Sequence, residues 1–128
     1  MSLGELLDSY GDAISKAVIR TYPPLYDADV RRASGQKLGR LLRRPLGARA
    51  DAINATVLSL KQHLGTIVVG EMGTGKSYIA AAAASLAGCQ RVLVVCPPHL
   101  VNKWRREVPQ TVPGARASIV RSMSDLEG

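Results

Sequence analysis

Apolar side chains recur three and four positions apart in three stretches of this chain, which is the pattern of a helix with one face toward a core. A fourth stretch, residues 78–87, is almost entirely Ala, Leu and Ile, as in a buried helix. Pro23 and Pro24 end the first stretch, and Gly88 stands where a C-cap glycine belongs. The predicted helices are residues 3–20, 45–63, 78–87 and 99–108, with a shorter basic helical stretch at 36–44.

Three short runs between these helices have the composition of β-strands, and they are residues 66–69, 91–95 and 115–120. The run at 91–95 shows no polar alternation, which favours a strand buried on both faces, as in a parallel sheet covered by helices. Strand, helix and strand in this order predict a βαβ unit with a right-handed crossover. The pattern therefore predicts an α/β fold with a short parallel sheet flanked by helices.

The turn between the first predicted strand and its helix reads Gly-Glu-Met-Gly-Thr-Gly-Lys-Ser over residues 70–77, which is G-x-x-x-x-G-K-S. This spacing is that of a phosphate-binding P-loop (Walker A motif), in which glycines let consecutive backbone N–H groups approach an anion. The helix that follows presents further N–H groups and the positive end of its dipole. Lys76 is expected to place a charge at the β- and γ-phosphates, and the Ser77 hydroxyl to hold Mg²⁺.

Charge and composition add two expectations. The chain has 128 residues and a formal charge of +7, and residues 31–50 contain seven basic residues and no acid. This stretch favours a polyanionic partner such as nucleic acid, although a solvated helix face explains it equally well. There is neither an apolar run of membrane-spanning length nor a basic-then-apolar N-terminus. A single domain in the cytoplasm, away from membranes, is therefore expected.

Two blocks of the sequence together resemble a known family. The blocks are residues 70–77 and residues 92–104, the second reading Val-Leu-Val-Val-Cys-Pro-Pro-His-Leu-Val-Asn-Lys-Trp. They look like motifs I and Ia of the first RecA-like domain of superfamily-two helicases, closest to the Swi/Snf-type and bacterial DEAD/DEAH relatives. The likeness extends over roughly residues 44–121. It implies a helical, basic N-terminal extension over residues 1–44 and a partial RecA-like P-loop NTPase domain over residues 45–128, truncated before Walker B.

The resemblance also implies roles for individual residues. ATP with Mg²⁺ is the implied cofactor, Lys76 the implied catalytic residue, and nucleic acid, DNA more than RNA, the implied partner. A glutamine that reads adenine follows an Arg-Pro in the family, but here Gly47 stands in that place after Arg44-Pro45. The implied nucleotide-binding residues are Gly70, Glu71, Met72, Gly73, Thr74, Gly75, Lys76, Ser77 and Tyr78. The implied nucleic-acid contacts are Pro97, Pro98, His99, Leu100 and Lys103.

The sequence contains no Asp-Glu-x-His or Asp-Glu-Ala-Asp block, which in the family supports Mg²⁺ and the attacking water. The expected function is therefore ATP binding without useful hydrolysis, as the N-terminal portion of a nucleic-acid helicase or translocase. Two alternatives stay open: another P-loop NTPase, such as an AAA+ loader or a small-molecule kinase, and a non-catalytic nucleotide- or DNA-binding module. The family's order of strands also predicts that this portion lacks the middle of its own sheet.

Overall fold

A computed structural model of the chain describes residues 1–27 and 37–126. Within these ranges the backbone forms four α-helices, which are α1 (Leu3–Thr21), α2 (Gly47–Gln62), α3 (Lys76–Leu86) and α4 (Pro98–Thr111). Two 3₁₀ turns, Lys37–Arg40 and Met123–Leu126, complete the regular structure there. No helix in the described ranges combines the length and the apolar character needed to cross a bilayer.

The predicted parallel sheet is wrong, because residues 1–27 and 37–126 contain no β-strand and the described fold is all-helical. The segments 66–69, 91–95 and 115–120 have no regular secondary structure. Most apolar side chains of the first two segments face solvent, with Ile67 and Val95 each 90% exposed, whereas Ala115, Ala117 and Ile119 of the third are half-buried. β-Branched composition expresses a fit to a pleated, half-buried surface, and it forms a strand only where neighbouring strands supply hydrogen bonds and cover. In the described structure these segments have no such neighbours.

The helix predictions are largely confirmed. The amphipathic helix at residues 3–20 is α1, whose Ser2 side chain accepts from the Glu5 N–H while Glu5 accepts from the Ser2 N–H. None of the residues of α1 is buried, so its apolar stripe is not part of the core. The basic helical stretch predicted at 36–44 is wrong beyond the 3₁₀ turn Lys37–Arg40, and Gln36 lies outside the described residues.

The C-terminal end of α3 has the predicted glycine termination. Gly88 has a φ of +88°, and its N–H donates to the Ser85 carbonyl at 3.0 Å. The following N–H, of Cys89, donates to the Ala84 carbonyl, also at 3.0 Å. These two bonds form a Schellman motif, which satisfies carbonyls that the end of the helix leaves without partners. Glycine is favoured here because side chains with a Cβ rarely adopt this φ.

A small core holds the helices together. α2 packs against α3, and α3 packs against α4. Ile53 of α2 is fully buried, and it belongs to a cluster with Leu41, Tyr78, Ile79 and Ala82. The end of α4 is tied to the same region, since the carbonyl of Thr111 accepts a hydrogen bond from the Leu42 N–H at 3.1 Å. This packing places the N-terminus of α3 beside the first turn of α2 and beside α4.

Candidate functional site

The glycine-rich loop, residues 70–77, turns tightly and leads directly into α3. Gly73 and Gly75 have φ angles of +82° and +85°. Thr74 closes the turn on itself, because its hydroxyl donates to the Glu71 carbonyl at 2.9 Å and its N–H donates to the same oxygen at 3.4 Å. Gly75 is the N-cap of α3, and its carbonyl accepts from the Ile79 N–H. The first N–H groups of α3 therefore have no acceptor within the helix.

Lys76 folds back across this loop. Its ammonium Nζ donates to the Gly70 carbonyl at 2.9 Å and to the Glu71 carbonyl at 2.8 Å. The positive charge of Lys76 is thereby held over the turn, and both of these acceptors are neutral carbonyl oxygens. An anionic ligand that reached the loop would replace neutral acceptors with charged ones, which adds a direct attraction between opposite charges to bonds that the ammonium already strengthens.

Arg49 in the first turn of α2 supports the loop from outside. Its Nε donates to the Thr74 carbonyl at 3.0 Å. A Cβ added at Gly75 would lie 3.2 Å from that Nε and 3.4 Å from Cζ, closer than most real Cβ contacts. Gly75 is thus favoured by its positive φ, and a Cβ there would also make the Arg49 guanidinium shift slightly.

A cleft of about 500 Å³ opens beside the loop, between α2, α3 and α4. The cleft has a strongly positive lining, with five cationic side chains against a single carboxylate. These charged residues are Arg43, Arg44, Arg49, Lys76, Lys103 and Glu107. The rest of the lining consists of Pro45, Leu46, Gly73, Gly75, Ser77 and Tyr78. A concave surface with one sign of charge concentrates ligands of the opposite sign, so the cleft is suited to a multiply charged anion.

Tyr78 joins the cleft to the core. Its side chain is only 6% exposed, and its hydroxyl donates to the Arg43 carbonyl. The Arg43 guanidinium carbon lies 5.8 Å from the centre of the Tyr78 ring, within the range of a cation–π contact. Burial raises the pKa of Tyr78, while the charges of Arg43 and Arg49 lower it by less. The phenol therefore stays neutral and holds the segment before α2 in place.

Glu107 on α4 supplies the one carboxylate of the cleft lining. Its Oε2 is buried and has no hydrogen-bond partner among the described residues. An ionised carboxylate can only accept hydrogen bonds. Leaving a buried acceptor atom without a partner costs free energy, although the Glu107 side chain as a whole is only half-buried. This oxygen has almost no surface open to solvent, so Glu107 lines the cleft through the rest of its side chain.

The structure brings together part of the predicted site. Lys76, Ser77 and Tyr78 line the cleft with Gly73 and Gly75, and Lys103 joins them from α4. The remaining predicted nucleotide-binding residues belong to the loop but not to the cleft lining; they are Gly70, Glu71, Met72 and Thr74. The remaining predicted nucleic-acid residues stand at the start of α4, outside the lining, and are Pro97, Pro98, His99 and Leu100.

Sequence reasoning missed four charged residues of the cleft. Arg43, Arg44 and Arg49 belong to the basic stretch, so their charge was evident but their position beside the loop was not. Glu107 had no signal in the sequence at all. No family model, curated protein or solved structure matches this chain. What the site does must therefore be inferred from its own residues.

Proposed function

We propose that this chain binds ATP with Mg²⁺ at the glycine-rich loop and the adjoining cationic cleft. The observation that carries the proposal is the position of the loop, which leads into the N-terminus of α3 and borders a cleft lined by five cationic side chains, its own Lys76 among them. Unpaired N–H groups and the dipole at a helix N-terminus favour phosphate. A triphosphate carries several negative charges in a short length, which suits both the turn and the cleft.

Within this proposal, Lys76 exchanges its two carbonyl acceptors for oxygens of the β- and γ-phosphates. The Ser77 hydroxyl, which lines the cleft, holds the Mg²⁺ ion, and this ion neutralises charge on the phosphates when bound. The described residues contain no group of three or more His, Cys, Asp or Glu suited to enclose a metal.

The wider role we propose is the ATP-binding portion of a nucleic-acid helicase or translocase, without useful hydrolysis by this chain. Its supports are the likeness of residues 70–77 and 92–104 to the helicase motifs, the missing Walker B block and the net charge of +7. The cleft adds Lys103, one of the expected nucleic-acid contacts, to the nucleotide side. ATP-dependent changes in affinity for DNA are therefore expected, and they distinguish this role from a simple nucleotide-binding module.

Titration calorimetry with ATP and Mg²⁺ tests the nucleotide site. Lys76→Ala should weaken binding at least about tenfold, which corresponds to about 1.4 kcal/mol, because the charge over the loop is lost. Lys61→Ala, at the exposed C-terminal end of α2, is the matched control and should bind as the wild type does. Helix content should be unchanged in both variants. Equal affinity of the Lys76→Ala variant and the wild type would refute the assignment of this loop.

Binding of single-stranded DNA and RNA oligonucleotides at several salt concentrations tests the nucleic-acid role. For single strands each phosphate contact contributes about 0.7 to the slope of log affinity against log salt. Lys103→Ala should therefore reduce the size of that slope by about 0.7 for DNA, whereas Lys61→Ala should leave it unchanged. A slope that is the same in all three proteins would assign Lys103 to the nucleotide alone.

A further inference from the structure

The apolar face of α1 is not covered in the described part of the chain. Five of its large apolar side chains recur three or four positions apart, so they lie along one face of the helix. All five are exposed, and they are Leu3, Leu7, Tyr10, Ile14 and Val18. Among residues 1–27 and 37–126 the helices that pack together are α2 with α3 and α3 with α4, and α1 belongs to neither pair. A continuous exposed apolar face of this kind indicates a contact surface.

A second concave surface, the α3–α4 groove, lies between these two helices and the segments 89–94 and 112–120. Its volume is about 1010 Å³, and it shares no lining residue with the cationic cleft. Small side chains of α3 and larger ones of α4 give it apolar walls, and these are Ala81, Ala84, Val101, Trp104 and Val108. Trp104 is only half-buried. An apolar groove with an aromatic side chain in its wall is suited to receive the apolar face of an amphipathic helix.

The groove and α1 carry opposite charges. The groove lining has three cationic side chains against one carboxylate, and these are Arg91, Arg105, Arg116 and Asp125. The N-terminal half of α1 has three acidic side chains and no basic one, and the acids are Glu5, Asp8 and Asp12. Because these acids lie outside the apolar stripe, they act across about 10 Å, the width of a helix, which is close to the screening length at about 0.1 M salt. The attraction therefore orients the helix, while burial of the stripe supplies most of the binding free energy.

We propose that the α3–α4 groove receives α1 of a second copy of this chain, so that two chains exchange their N-terminal helices in a dimer. Each copy offers one helix and one groove, and a two-fold dimer occupies both of each. No residue of the chain's own α1 lines the groove in the described structure. The excess of acids on α1 also differs from the Lys- and Arg-rich polar face of helices that lie on membranes.

Sedimentation velocity of the full chain over a range of concentrations tests the helix side of this contact. The wild type should form a species of twice the 13.6 kDa of one chain. Ile14→Ser should raise the dissociation constant of the dimer at least about tenfold, because it removes an apolar anchor from the stripe. Ile19→Ser is the matched control, since Ile19 is exposed on the same helix but lies outside the stripe, and its dimer should be as strong as that of the wild type.

Two exposed neighbours on α4 test the groove side. Arg105 lines the groove and Arg106 does not. At low salt Arg105→Glu should weaken the dimer at least about threefold, whereas Arg106→Glu should leave it unchanged. Trp104 is the one tryptophan of the sequence, and its emission should move to shorter wavelength as the dimer forms.

Three results would overturn the proposal. The first is a wild-type chain that stays monomeric at all concentrations. The second is a dimer that Ile14→Ser weakens but on which Arg105→Glu and Arg106→Glu have equal effects, since two α1 helices would then pair with each other outside the groove. The third is a monomer whose Trp104 emission changes on Ile14→Ser, which would place α1 in the groove of its own chain. None of these results bears on nucleotide binding, because the groove and the cationic cleft have separate linings.

Discussion

The all-helical core predicts that two isoleucines of the same chain respond differently to the same substitution. Ile53 is 0% exposed and packs with Leu41, Tyr78, Ile79 and Ala82, whereas Ile67, in the predicted strand before the loop, is 90% exposed. Ile53→Ala removes buried methyl groups and leaves a cavity, so it should lower the free energy of unfolding by about 2–5 kcal/mol. Ile67→Ala removes atoms that are already in water and should change it by no more than about 0.5 kcal/mol.

Urea unfolding followed by circular dichroism measures both values. The loss expected for Ile53→Ala is a large share of the roughly 5–15 kcal/mol that is typical of a domain, so this variant could be unfolded. In that case Ile53→Val, with an expected cost of about 0.5–1.5 kcal/mol, still allows the contribution of the side chain to be measured. Comparable losses at Ile53 and Ile67 would refute this reasoning. They would mean that residues 66–69 are buried in solution as a strand is, against the exposure described here.

Three further predictions concern the loop and its supports. Gly75→Ala should destabilise the protein by about 1–2 kcal/mol in thermal unfolding, because its φ of +85° disfavours a Cβ, while Gly47→Ala, with nothing within 4 Å, should be neutral or stabilising. A Gly75→Ala variant as stable as the wild type would contradict the loop geometry described here. The folded-state pKa of Tyr78 is raised by burial, so its contribution to stability is complete below its unfolded pKa of about 10 and is lost as pH rises through the folded value. Denaturant titrations at about pH 8 and about pH 11 should show a smaller alkaline loss for Tyr78→Phe than for the wild type, and equal losses would argue against this origin. Arg49→Ala should speed hydrogen exchange of the loop amides. Arg44 lines the cleft without a described bond to the loop, so Arg44→Ala should leave the exchange rates unchanged. Equal exchange rates in the two variants would exclude Arg49 as the support of the loop.

Local rules predicted the helices because the signals for helix limits lie within a few residues of one another. α3 ends where the Gly88 N–H donates to the carbonyl three positions earlier and the Cys89 N–H to the carbonyl five positions earlier. Pro98 stands at the start of α4, where its missing N–H costs nothing. The tight turn before Lys76 follows in the same way from glycines that accept positive φ angles. Each of these features is decided within about one helical turn of sequence.

The sheet was mispredicted because a strand is decided by its neighbours. Residues 91–95 have the apolar, β-branched composition of a buried parallel strand, but in the described structure Val92 and Leu93 are 58% and 67% exposed. Glu107 illustrates the same limit for the site. Its place in the cleft depends on how α4 packs against α3, which no spacing in the sequence encodes. Contacts between residues far apart in the chain, whether of strands or of charged side chains, could not be predicted from the sequence patterns.

The loop's conformation therefore depends on more than its own motif. Residues 66–69, which were expected to anchor it as a strand, are not in regular structure, so the loop enters α3 without support from a sheet. Two of the side chains that bond to loop carbonyls, Thr74 and Lys76, belong to the loop itself, and within residues 1–27 and 37–126 Arg49 of α2 is the side chain that reaches it from another helix. Because Arg49 stands one turn before buried Ile53, the packing of α2 on α3 also sets the position of the guanidinium. The core and the glycine-rich loop are thus coupled through Arg49, and a change that loosens α2 should weaken the proposed site without touching residues 70–77.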